Sequence, residues 1–195
     1  MQRISLINIA HQHISALLLT GDIAIDATLG NGHDALFLMT LVAPSGQVFG
    51  FDIQLAALAA TQANSAGATG LTLIHASHEL MADNIPVQYH GYIKAIMFNL
   101  GYLPGGDKSI ITQTESTLCA LNAATALLAA DGIMTIMAYP GHAGGDLEAE
   151  QIQRWCEQLD NAHYSYQICY STVTSATAPR LFILRKTHLF TDITQ

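Results

Sequence analysis

Short apolar runs alternate with longer segments of mixed polarity along most of the chain, which predicts strands separated by helices. Ile4, Ile7, Ile14, Leu17 and Leu18 recur at near-helical spacing and predict a leading helix over residues 4–19, stopped at Thr20-Gly21. Residues 23–27 predict a first strand, followed by a glycine turn and a helix over 33–42. Further strands are expected at 47–52, 71–75, 92–99 and 133–139, with helices at 55–66, 112–130 and 147–159. Asp131-Gly132 is expected to close the longest helix. Two last strands, 164–170 and 181–186, are separated by a polar loop without a helical signal. The pattern predicts an α/β fold: a Rossmann-like, seven-stranded, mostly parallel sheet with helices on both faces and a C-terminal antiparallel hairpin at one edge. No repeat or linker interrupts it, so residues 1–195 are expected to form one domain, the leading helix (1–20) packed on it.

Composition narrows the class. Half of the residues are hydrophobic and 11% are charged, as in a globular chain. No apolar stretch approaches the roughly 18 residues of a membrane span, and the N-terminus lacks the pattern of a signal peptide. Cys119, Cys156 and Cys169 show no C-x-x-C spacing, which predicts reduced thiols in a cytoplasmic protein and no metal site. The net charge of −8 argues against a surface coated for generic nucleic-acid binding. Arg180, Arg185 and Lys186 are three of only seven basic residues; they make either a small local patch or ordinary solvated positions on an edge strand.

Candidate chemistry concentrates where strands end. Gly30-Asn31-Gly32-His33-Asp34-Ala35 satisfies G-x-G-x-x-A between a strand and a helix, a cradle for a nucleotide-like cofactor. Asp52 follows Gly32 by twenty residues at the end of the next strand, the place of a carboxylate that accepts from ribose hydroxyls. NAD and S-adenosylmethionine sites share this architecture. Asp26, four positions before Gly30, and Asp34, in the first helical turn, would repel a pyrophosphate and attract an α-ammonium. The chain also leaves no residues for the substrate domain of a dehydrogenase. Asn99, at the end of the fourth strand, can accept hydrogen bonds from an amine. His142, after the fifth, is the histidine best placed by topology to take its proton, although an ordinary loop role fits it equally. Ser77 and His78 are candidates for the adenine or ribose side, or for a purely structural role.

The segments 26–34 (DATLGNGHD), 50–54 (GFDIQ), 77–78 (SH), 98–108 (FNLGYLPGGDK) and 139–142 (YPGH) resemble the small bacterial class I methyltransferases long labelled rRNA methylases. The resemblance covers nearly the whole chain. It implies S-adenosyl-L-methionine as donor and, as substrate, the 5-aminomethyl group of the wobble uridine or 2-thiouridine in the anticodon region of tRNA. The product is 5-methylaminomethyl-(2-thio)uridine. Carried over, Asp26, Gly30, Asn31, Gly32 and Asp34 hold the methionine end of the cofactor. Asp52 and Gln54 hold the ribose and adenine side, with Ser77 and His78 near the base and Asn99 also facing the cofactor. Leu100, Gly101, Tyr102, Pro104, Tyr139, Gly141 and His142 face the substrate, and Asn99, Tyr102 and His142 are the catalytic candidates. The chain departs from the family at 175–180 (SATAPR), where members carry an Asn and a Pro-Pro pair, a difference that bears on substrate identity. The alternatives are an rRNA or small-molecule amine as substrate, an NAD-dependent oxidoreductase, or a non-catalytic cofactor- or RNA-binding subunit. A homodimer that joins basic patches is one way for an acidic chain to meet RNA.

Overall fold

The computed structural model describes residues 5–103, 105, 110–171, 175 and 177–187. Seven strands form one sheet: β1 (Ile23–Asp26), β2 (Gln47–Asp52), β3 (Leu71–His75), β4 (Ile93–Asn99), β5 (Leu128–Ala138), β6 (Tyr164–Tyr170) and β7 (Arg180–Lys186). Their order is β3-β2-β1-β4-β5-β7-β6, with β7 antiparallel to both neighbours and the pairs from β3 through β5 parallel. The strand order reverses between β1 and β4. Such a switch point opens a crevice beyond the carboxyl ends of the two strands, where open α/β sheets bind ligands.

The central strands are apolar on both faces because helices cover both. Ala95 and Met97 of β4 pack on one side with Leu38 and Val42 of α2 (His33–Val42) and Ile14 of α1 (Leu6–Ser15). The alternate residues Ile96 and Phe98 pack on the other side with Leu121 and Leu127 of α5 (Thr114–Leu127) and Ile152 of α6 (Gly145–Gln158). This period-two division is the expected signature of a sheet buried between two helical layers. Helix α3 (Leu55–Asn64) connects β2 to β3. Two short 3₁₀ turns (His78–Leu80, Val87–Tyr89) and the one-turn α4 (Met81–Asn84) fill the stretch before β4, for which the periodicity predicts no element. No helix among the described residues is long and apolar enough to cross a membrane.

Three expectations are corrected. The helix expected over 112–130 runs only from Thr114 to Leu127, because Leu128 is already extended and pairs with Ile93. Between the pairs Ile93↔Leu128 and Ala95↔Ile133 the β5 chain bulges, with Asp131 at φ +63° and its carboxylate paired to Lys94. Sheet pairing overrides the helical propensity of the alanines there. The leading helix ends at Ser15, and its buried stripe is Leu6, Ala10 and Ile14; Ile7, 42% exposed, lines the ligand cavity instead. Finally, β7 is not an edge strand, so Arg180, Arg185 and Lys186 do not share one open surface. Lys186 turns its ammonium onto the Thr125 and Leu128 carbonyls, at 3.0 and 2.8 Å, and Arg185 extends toward His13 at 3.4 Å.

Candidate active site

A cavity of about 1000 Å³ lies over the carboxyl ends of β1, β2 and β4. Of the residues expected at the site, Gly30, Asn31, Asp34, Asp52, Gln54, Ser77, His78, Asn99, Leu100, Gly101, Tyr102, Tyr139, Gly141 and His142 line it. Asp26 and Gly32 stand behind the lining, and Pro104 lies outside the described residues.

The glycine turn and Asp52 form one unit. The Gly30 N–H donates to Asp52 Oδ2 at 2.9 Å and the Gln54 N–H to Oδ1 at 2.8 Å. Two backbone donors thus fix the carboxylate while each oxygen keeps a lone pair for a ligand hydroxyl. Gly32 adopts φ +80°, and a Cβ there would meet Thr61 Oγ1 of α3 at 2.5 Å. Its lack of a side chain lets α2 close against α3, behind the cavity. At Gly30, φ +50°, a Cβ would sit in ordinary contact with Leu103 Cδ1 at 3.6 Å, so the left-handed backbone rather than crowding is what favours glycine there.

Asp26 is 1% exposed. Its Oδ1 accepts the Thr28 N–H at 3.2 Å, the Ala35 N–H also approaches the carboxyl, and among the described residues its Oδ2 has no well-formed hydrogen bond. Burial first, then the nearby Asp34 charge, push its carboxyl up to about 8. An acid with a folded pKa above its unfolded value, about 4, holds its proton more tightly when folded. Stability therefore falls as pH rises from about 4 to about 8. Urea unfolding of the cofactor-free protein should find Asp26→Asn more stable than wild type, by a margin that is small near pH 4 and widens toward pH 8. A margin constant over that range would remove Asp26 as the source.

Asp34, 8% exposed, has both oxygens engaged. His11 Nε2 donates to Oδ1 at 2.6 Å, and the Asn99 side-chain amide donates to Oδ2. The Asn99 backbone N–H donates to Thr28 Oγ1 at 2.6 Å, joining the ends of β1 and β4 across the switch point. Asn99 Oδ1 remains buried without a partner among the described residues. Because an ionised carboxylate only accepts, the amide must turn its NH₂ to Asp34 and its oxygen away.

On the opposite wall, His142 Nδ1 lies 3.2 Å from the Ala143 carbonyl, which can only accept. This contact places the imidazole proton on Nδ1 and leaves Nε2, buried and unpartnered among the described residues, as a lone pair. Tyr102 meets the His142 ring edge-on at 6.5 Å. Tyr139 is raised above the usual phenol value by burial and by Asp34. His78 is held below the usual imidazole value by burial; among the described residues its Nε2 lacks a partner, and its ring packs edge-on against Phe98.

His11 and Glu148 were not among the expected site residues. Glu148 of α6, 1% exposed, accepts from Thr112 Oγ1 at 3.0 Å and Thr117 Oγ1 at 2.7 Å. Thr112 in turn exchanges hydrogen bonds with Gly101, one from Gly101 N–H to Thr112 Oγ1 and one from Thr112 N–H to Gly101 O, both 2.9 Å. Glu148 thereby pins both ends of the loop that leaves Asn99. No short-range pattern marks it, since its partners lie more than thirty positions away.

The donor set discriminates between cofactors. Among the described residues the cavity lining includes Asp34, Asp52, Glu79 and Glu115 but no lysine or arginine. A pyrophosphate would meet carboxylates and no cation, whereas a sulfonium with an α-ammonium suits this field. The Asn99 acceptor, unpartnered among the described residues, fits the same ligand class.

Known proteins agree with this geometry. The model of the family described as "Putative rRNA methylase" matches residues 48–185. A curated protein of Arabidopsis thaliana, named tRNA (mnm(5)s(2)U34)-methyltransferase, chloroplastic, is 36% identical over 156 residues, 74% of this chain and 56% of that protein. The chain thus spans little more than half the length of that relative. The crystal structure of a "putative rRNA-methylase" from Clostridium thermocellum is 35% identical with a TM-score of 0.88, covering 95% of this chain and 100% of that one. A "putative methyltransferase" from Streptococcus mutans in complex with SAH is 31% identical with a TM-score of 0.83, covering 95% and 99%. The acid-lined crevice at the β1–β4 switch point is accordingly that of a S-adenosylmethionine-dependent methyltransferase fold, and the chain belongs to the family described as "Putative rRNA methylase".

Proposed function

We propose that the protein N-methylates the 5-aminomethyl group of the wobble uridine, or 2-thiouridine, in tRNA. The observation that carries this reading is the orientation of Asn99: its amide is locked by Asp34, so a buried, unpartnered carbonyl oxygen is left for an amine N–H. S-adenosylmethionine, when bound, supplies an electrophilic methyl group on sulfonium. Asp52 and Gln54 take its ribose and adenine side, with Ser77 and His78 beside the base. Gly30 and Asn31 supply the backbone wall at the methionine end, Gly32 closes the turn behind them, and Asp34 supplies the negative field, to which Asp26 adds when a bound α-ammonium favours its ionised form. Asn99 Oδ1 then holds an amine N–H, which aims the nitrogen lone pair and excludes water from it. His142 Nε2 receives the proton that the amine gives up, and Tyr102, Tyr139 and the 100–103 and 139–142 segments wall the nucleoside.

The cavity volume, about 1000 Å³, is at the upper end of small-molecule sites and leaves room for a nucleoside beside the cofactor. The name of the Arabidopsis relative supports the same substrate. We place the reaction in the cytoplasm, on the anticodon region, with a homodimer as one means of adding basic surface. A second reading, methylation of a small-molecule amine, draws on the net charge of −8 and the acidic lining. Mass spectrometry of tRNA nucleosides from a deletion strain, with and without added purified protein and cofactor, separates the two. The expected result is accumulation of 5-aminomethyl-(2-thio)uridine in the strain and its conversion to the methylaminomethyl nucleoside on add-back. Unchanged tRNA nucleosides would overturn the tRNA reading.

A further inference from the structure

We propose that His11, on the leading helix, is a positioning residue for methyl transfer: it acts through Asp34 to fix which end of the Asn99 amide faces the substrate. The proposal rests on the reading of Asn99 given above and adds an element that no local motif contains. An asparagine amide has two nearly isosteric ends, and turning it over would present two donors, instead of an acceptor, to an amine. Among the described residues Asp34 alone bonds the Asn99 side chain, taking its NH₂ end and leaving the acceptor end free. Asp34 can do so only while its own carboxylate is held in one plane, and His11 Nε2 supplies that restraint at 2.6 Å on the oxygen Asn99 does not use.

His11 is itself well placed. Its ring stacks on Phe37 of α2, with centroids 3.8 Å apart and planes within 5°. The helix that carries it is anchored by Leu6, Ala10 and Ile14 in the core beneath α2. The chain from α1 through α2 to the end of β4 thus forms a line, His11–Asp34–Asn99, ending on the acceptor atom. Without the His11 N–H, a carboxylate 8% exposed and close to the buried Asp26 is left with one oxygen unpaired and is free to rotate, taking the Asn99 amide with it.

His11→Phe keeps the stacked ring and removes the donor; His11→Gln removes the ring and keeps an N–H. On tRNA bearing 5-aminomethyluridine, His11→Phe is expected to lower kcat about tenfold. Its KM for tRNA and its Kd for S-adenosylmethionine by calorimetry should stay within about threefold, and His11→Gln should recover most of the loss. In single turnover, His11→Phe should add no further loss to Asn99→Ala, since both act on the same atom. In the free protein, NMR should show the Asn99 side-chain amide protons exchanging with water about tenfold faster in His11→Phe than in wild type. Unchanged kcat, a loss additive with Asn99→Ala, or unchanged amide exchange would each overturn the relay. A wild-type protein inactive on this tRNA would instead overturn the reaction itself, and the amide exchange, measured without cofactor or RNA, would still decide the relay.

Discussion

Asn99→Ala is expected to lower kcat by about 100- to 1000-fold while leaving the Kd for S-adenosylmethionine within about threefold, as for the loss of one preorganised polar group at a reacting centre. Two features make the separation sharp. The backbone of Asn99 is tied to Thr28 Oγ1 through its own N–H, at 2.6 Å, and that bond survives truncation of the side chain. The wall between β1 and β4 therefore keeps its shape. What disappears is the buried Oδ1, the acceptor that restrains an attacking amine. A freely turning amine loses the alignment of its lone pair, and water enters the space, so the cost falls on the chemical step rather than on cofactor binding. Asn99→Asp should be as inactive, because a second carboxylate would face Asp34 where the amide now donates to it. Steady-state turnover within threefold of wild type for Asn99→Ala would remove Asn99 from the mechanism.

Much of the scaffold could be read along the chain because its elements carry local signals. Short, nearly continuous apolar runs mark β2 and β4, and the strand–turn–helix around Gly30 and Gly32 announces itself by composition. The signals fail where a distant partner decides. Residues 128–130 follow an alanine-rich helix and differ from it little in composition, yet Leu128 is drawn into the sheet by Ile93. A hairpin could be expected from 164–170 and 181–186, but not that its second strand would insert against β5 and put its first strand at the edge. That order is set by packing of both faces of β7, where Leu181 and Ile183 meet one core and Phe182 and Leu184 the other.

The site divides along the same line. Gly30, Asp52 and Asn99 end strands or begin turns, so topology alone brings them to one crevice. The supporting residues do not share that property. His11 reaches Asp34 across 23 positions, and Glu148 reaches Thr112 across 36. Nothing in their neighbourhoods distinguishes them from an ordinary helical histidine and glutamate. Asp34 is recognisable as an acid near the cofactor, but its engagement by two side chains changes its part from open counter-charge to a brace for Asn99.

Asp52→Ala should weaken S-adenosylmethionine binding about 100-fold, with a smaller effect on kcat at saturating cofactor. Its two oxygens are positioned by the Gly30 and Gln54 backbone N–H groups, at 2.9 and 2.8 Å, before any ligand arrives. Each oxygen retains a lone pair, and a hydroxyl bonded to a carboxylate contributes about 1.5–3 kcal/mol. Two such bonds to a ribose diol, reduced by the loss of competing water, give about 3 kcal/mol, or roughly two orders of magnitude in Kd. Truncation also frees the Gly30 N–H, so the turn that walls the methionine end loosens together with the ribose anchor. Asp52→Asn separates the two contributions. It keeps one acceptor oxygen for either the Gly30 or the Gln54 N–H and turns an NH₂ toward the other, so its loss should approach that of alanine if turn geometry dominates. The loss should be about half as large in free energy if the ribose bonds dominate. Calorimetry that finds Asp52→Ala within threefold of wild type would exclude Asp52 from the ribose site and leave it only as the tie between β2 and the glycine turn.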